Sequence, residues 1–308
     1  MPILVGTQVV QPAVVVPSRP TPAEKLAATW TAPDGTVYQL TDRSVGYWTL
    51  ANAVAFGAAP LTLTADANPR GGSTMRHVQP EPRQIIWPMH VKGTTETEFK
   101  QRWRELGRAF AMTTELGPGV LTVAWPDGSK RQISAYYSSG FDGQPGMHWH
   151  YDQVVMTLFC EDPYWRDVVQ QTVTRTFVSD SSTFFAPFLH VSSSQTLGDT
   201  TVNNPGDVVA WPTWTITGPA TGVTAINNDT GESFALDITL TAGQVVTITT
   251  DPPSVIGPDG NSAIAAVNFP DAVLWGLPRG DTSATFDATG SGAGTSIVLA
   301  FYPRYAVG

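Results

Sequence analysis

The sequence has one cysteine in 308 residues, Cys160. That excludes an internal disulfide and any zinc site built on several thiolates. Cys160 ends an apolar run that begins at Val154, so it reads as a buried, inert thiol. Charge is also scarce, at 14% of residues, and unevenly placed. Residues 1–168 carry 14 basic against 15 acidic side chains, whereas 169–308 carry 3 against 11 and contain no lysine. The second half therefore offers no surface for gripping nucleic acid. Its acidity would instead repel DNA. No apolar run approaches the ~20 residues of a membrane span. The N-terminus has no basic residue ahead of its apolar part, and Pro12, Pro17, Pro20 and Pro22 interrupt the next stretch. It does not read as a signal peptide, and the expectation is a soluble chain made in the cytoplasm. Gly-x-Ser-x-Gly, Walker and Rossmann glycine patterns are all missing.

What the chain has in quantity is Gly (28) and Pro (25), which suits a turn-rich β protein. Its length allows two cores. Residues 1–25 read as an extended, Val- and Pro-rich arm with no local strand partner. Thr29 to Leu40 is a hairpin pattern around Pro33-Asp34-Gly35. Strand patterns come next at 45–50, 60–66 and 84–92, the last broken by Pro88, which argues for an edge or bulge. One helix is predicted from about Thr95 to Met112. Thr95 and Glu98 fit a capping box, and Phe99, Trp103, Leu106 and Phe110 form its core-facing stripe. A second hairpin, Val120 to Trp125 and Arg131 to Tyr137, turns at Pro126-Asp127-Gly128. The first half thus reads as a β-sandwich or barrel with one flanking helix.

The stretch from Val154 to Asp167 divides the chain. Val154 to Cys160 is a buried strand pattern, and Glu161-Asp162-Pro163 breaks it. Asp162, Pro163, Tyr164 and Trp165 read as a junction anchor, with two large rings pinning the chain where it leaves the first domain (1–167). Residues 168–203 read as transitional within a second domain (168–308), with an alternating strand at 168–178 and an aromatic stretch from Phe184 to His190. Strand patterns then recur at 208–217, 222–227, 232–239, 244–250, 262–268, 272–276, 283–287 and 295–303. Turn clusters every 8–12 residues argue for a jelly-roll sandwich.

These features carry a resemblance. A strand ending in Cys160-Glu-Asp-Pro-Tyr-Trp165, after a helix and a hairpin and before an all-β half, resembles the distal tail proteins of phages with long non-contractile tails. Proteins of this kind are also labelled minor tail proteins. Asn204 to Gly218, Asn228 to Glu232 and Leu274 to Gly280 resemble their C-terminal domain. The resemblance covers most of 25–308. It implies a virion protein of the tail tip, made in the host cytoplasm, with a galectin-like second domain. Six copies of the first domain would form a ring between the tail tube protein and the tail-tip hub and tape-measure proteins. DNA would cross its channel unbound, and the second domains would dock tip proteins or host glycans.

Candidate chemistry is sparse. His148, His150 and Asp152 would share one strand face, as a two-histidine, one-carboxylate metal site needs, but a polar strand face is the simpler reading. His77, His90 and His190 stand alone, with no nucleophile alongside. Asp127, Asp142, Asp229, Asp259 and Asp281 sit in turns, where turn chemistry explains them without paired-carboxylate catalysis. Lys100, Arg102, Arg104 and Arg108 read as a solvated helix face or a subunit contact rather than a nucleic-acid grip. Trp211, Trp214 and Trp275 are candidate sugar-stacking rings, although Trp211 and Trp214 lie on opposite strand parities. The expectation is a non-enzymatic structural protein without cofactor or metal. The alternatives are a carbohydrate-binding tail-tip protein and a wall-degrading glycosidase.

Overall fold

The computed structural model describes residues 26–142, 149–177 and 197–308. The proposed arm at 1–25, His148 and the stretch from Phe184 to His190 lie outside these. No helix among the described residues is long and apolar enough to cross a membrane.

The first half holds β1 (Ala27–Thr31), β2 (Val37–Gln39), β3 (Tyr47–Thr49), β4 (Leu61–Ala67), β5 (Ser73–Pro80) and β6 (Arg83–Lys92). The helices α1 (Glu96–Ala111) and α2 (Thr113–Leu116) come next, then β7 (Gly119–Ala124), β8 (Lys130–Gly140), β9 (Tyr151–Cys160) and β10 (Trp165–Asp167). The strands form one antiparallel half-barrel sheet in the order β2-β1-β7-β8-β9-β6-β3, with β10 added beside β8. Alternation sets its two faces: Ile85, Trp87, Met89 and Val91 of β6 point inward with Val154, Met156, Leu158 and Cys160 of β9. Pro88 is tolerated because its carbonyl faces the end of β3, where it accepts from Leu50 N at 2.9 Å. Its missing N–H therefore falls where β3 has stopped pairing.

Helix α1 closes the inner face. Thr95 caps it by accepting from Glu98 N at 3.2 Å. Phe99, Leu106 and Phe110 are buried, joined by Ala109, and Trp103 is half-buried. Trp30 of β1 packs on Phe110 with centroids 4.8 Å apart and donates its indole N–H to Ala109 O at 3.2 Å. Gly107 has a packing reason: a Cβ there would lie 3.1 Å from Phe141, whose ring packs against Trp103 at 4.5 Å.

The β4–β5 hairpin stands apart from both cores. It pairs only with itself, and all seven residues of β4 and all eight of β5 are exposed.

The second half holds β11 (Gln171–Thr176), β12 (Gly198–Asn204), β13 (Thr213–Thr217), β14 (Gly222–Asn227), β15 (Ser233–Leu236), β16 (Val245–Thr250), β17 (Pro253–Ile256), β18 (Gly280–Thr289), β19 (Ser296–Phe301) and β20 (Arg304–Tyr305). A sheet ordered β11-β19-β13-β16-β17 and one ordered β12-β18-β14-β15 form the sandwich. Trp214 sits at its centre, edge-on to Phe234, Trp275 and Phe286 at 5.3, 5.0 and 5.3 Å. Such pairs contribute roughly 0.5–1.5 kcal/mol each beyond area burial.

Three expectations are corrected here. Residues 262–268 form a 3-10 turn at Ile264–Ala266 rather than a strand, and 272–276 is irregular, held by Trp275 in the core. Within the stretch read as transitional, Gly198–Asn204 is a strand paired along its whole length with β18. The last strand, β20, leaves the sandwich and pairs with β10, so the backbone returns to the first sheet.

Candidate functional site

The described residues converge at the junction between the first sheet and the sandwich. Tyr136 of β8 pairs with Phe159 of β9, and Gln132 of β8 with Arg166 of β10. Four residues along β8 thus match seven along the stretch facing it. Pro163 therefore sits in a three-residue bulge, after which the chain rejoins the same strand. The break predicted at Asp162-Pro163 is real, but the chain leaves the sheet only after Asp167.

Each anchor residue has a defined contact. Trp165 is fully buried, stacked on Phe56 at 5.5 Å, and a Cβ on Gly308 would come within 2.4 Å of its indole. Position 308 therefore needs glycine. Both carboxylate oxygens of Asp162 accept from one nitrogen of Arg304, Nη2, each at 2.7 Å. The same guanidinium donates to Val209 O at 3.0 Å and lies 4.9 Å over the Tyr164 ring. Two further arginine–aromatic stacks flank it: Arg131 over Tyr305 at 4.0 Å and Arg166 over Tyr302 at 5.5 Å.

Arg83, which the sequence reading passed over, ties this region together. It is 1% exposed and has no carboxylate partner among the described residues. Its guanidinium donates to the carbonyls of Pro163 (2.8 Å), Gly57 (2.7 Å), Ala306 (2.9 Å) and Ala55. Burial pulls its pKa down, but four carbonyl dipoles satisfy the fork. The same burial pushes the Cys160 thiol up to about 12, so it stays protonated and unreactive.

The sugar-stacking candidates separate. Trp214 and Trp275 are 0% and 1% exposed and belong to the sandwich core, so no three-ring platform exists. Inward strand parity buries Trp214, and Trp275 donates its N–H to Ala225 O at 3.4 Å. Trp211 is different. It is 41% exposed and lines a cleft of about 940 Å³ between sheet and sandwich. Gly276 makes room for its indole, since a Cβ there would come within 2.7 Å of the ring.

His148, one of the three metal candidates, lies outside the described residues. His150 stands just before β9, edge-on to Trp149 and Tyr151, and no group of three potential ligands is found among the described residues. On the helix, Lys100 pairs with Glu96 and Arg102 with Glu98, leaving Arg104 and Arg108 as the exposed basic positions. Hydroxyl, thiol and imidazole groups form no nucleophile–base pair among the described hydrogen bonds.

No protein-family model and no curated protein sequence matches the chain. Solved structures do. The Dit (gp 19.1) protein of phage SPP1, described as a paradigm of the hub adsorption apparatus in phages infecting Gram-positive bacteria, superposes with a TM-score of 0.63 at 15% identity. The match covers 91% of this chain and 98% of that one. A chain of the phage P2 baseplate in its activated conformation with Ca superposes with a TM-score of 0.55 at 10% identity, covering 89% and 97%. The same baseplate with Sr gives 0.52 at 10% identity over the same shares. With nine-tenths of its length matched to these chains, from the first sheet through the sandwich, the chain has the fold of SPP1 Dit.

Proposed function

We propose that this protein is a structural component of a phage tail tip. Copies of its first half (1–167) close into a ring, six in number, that joins the tail tube to the tip. The second half (168–308) projects outward. The observation that supports this best is the β4–β5 hairpin. Leu61, Leu63, Met75 and Val78 on it are 46–57% exposed. An isolated two-stranded hairpin is marginal in water. Fifteen strand residues with both faces bare call for a surface to lie on, and an identical neighbour supplies one in a ring. The outer face of β6 and β9 adds exposed Ile86 and Val155, at 41% and 54%. Closure also removes the open edges of β2 and β3.

The likeness to hub and baseplate chains supports the same reading. The tail tube protein on one side, and hub and tape-measure proteins on the other, are the partners this arrangement implies. The proposed role is non-enzymatic. Negative-stain electron microscopy of the purified chain tests the reading. Annular particles with a central hole are expected, and a field of single bilobed particles at every concentration would contradict it.

A further inference from the structure

The cleft around Trp211 lies at the junction of sheet and sandwich, and its lining has a chemistry of its own. One side of the indole lies against Gly276, where a Cβ would meet both Trp211 and Val209, and the ring lines the cleft. Around it stand Glu161, Asp207, Asp251 and Arg279, all exposed at the rim. None of these four side chains has an ion-pair or hydrogen-bond partner among the described residues, so their capacity is free. Asp162 and Arg304, by contrast, are paired with each other. Its volume falls within the range of ligand sites, about 300–1,000 Å³.

We propose that this cleft binds a neutral or amino-bearing saccharide, with Trp211 as the stacking platform. An aromatic face suits the C–H face of a pyranose. Carboxylates are pure acceptors for ring hydroxyls, and a guanidinium is a pure donor to hydroxyl or ring oxygens. Charge selects the class. Four lining carboxylates against two arginines leave an acidic cleft, which rejects uronic, sialic and phosphorylated sugars. Every lining residue comes from one copy.

Isothermal titration of the full-length chain tests it, with cellotetraose, mannotetraose, galactotetraose and the chitosan tetramer as ligands and tetragalacturonate as the acidic counterpart. At least one of the first four binds with a Kd at or below about 1 mM, and tetragalacturonate binds about tenfold more weakly or not at all. Trp211→Ala and the surface change Arg279→Ala each weaken that binding by about tenfold. Trp149→Ala, which removes an exposed ring elsewhere, leaves it unchanged. The proposal fails if none of the four binds at about 10 mM, where a 1 mM site would be saturated. It also fails if tetragalacturonate binds equally well, or if folded Trp211→Ala keeps its affinity. Should Trp211→Ala not fold, Arg279→Ala decides in the same way.

Discussion

Replacing Arg83 by leucine tests whether one buried cation holds the junction. The guanidinium binds four carbonyls from three separate segments, at 55–57, 163 and 306. Leucine fills part of the volume and donates nothing. An orphaned buried carbonyl costs roughly 1–3 kcal/mol. The bond to Pro163 O is fully buried, and the other three are partly buried, so water can reach those in the variant. One full penalty and three partial ones come to roughly 3–5 kcal/mol, and burying leucine in place of a cation offsets about 1 of it. A net loss of about 3 kcal/mol is expected. With a urea m-value near 2–3 kcal/mol/M, that lowers the unfolding midpoint by about 1–1.5 M. Two cores need not unfold together, so the transition should be followed by tryptophan fluorescence and circular dichroism in parallel. The first-sheet transition should move, and exchange of the Gly308 amide, bonded to Phe56 O at 2.8 Å, should accelerate with it. A loss below about 1 kcal/mol would refute the reasoning, because it would mean that the four carbonyls need no donor.

Other consequences are smaller or chemical. Asp162→Asn removes the ion pair with Arg304, but Asp162 is 53% exposed, so the loss should stay below about 1 kcal/mol in the same urea assay. Cys160 should resist iodoacetamide in the native protein and react at the rate of unfolding, which mass spectrometry over time resolves. Its folded pKa of about 12 lies above a free thiol's ~8.5, so the native state holds its proton longer. The resulting stability is complete below about pH 8.5 and is lost as pH rises toward 12. Cys160→Ala should flatten that alkaline decline in urea midpoints measured across pH.

Where one face of an element is buried, the sequence announces it. The α1 stripe and the alternation of β6 and β9 were legible because a core imposes a period. Ser73–Pro80 has no such period because both of its faces are bare, so β5 escaped a reading built on alternation. Ala263 to Val267 is apolar without being a strand: Val267 is buried in the sandwich core, and Ala263 and Ala266 pack against that core from a 3-10 turn. Arg83 was invisible for a different reason: all its partners are backbone carbonyls, which leave no mark in side-chain chemistry. The three tryptophans show the limit of composition. Only position in the fold separates Trp211 in a cleft from Trp214 and Trp275 in the core.

The central claim is that copies of this chain close on one another through the exposed hairpin. Light scattering on the full-length protein, beside a variant with 62–79 replaced by a short glycine linker, tests it most directly. The account predicts a discrete species near 200 kDa, about six times 33.0 kDa, that falls to one copy when the hairpin is removed. A wild-type monomer at every concentration, or an assembly untouched by the deletion, would contradict it.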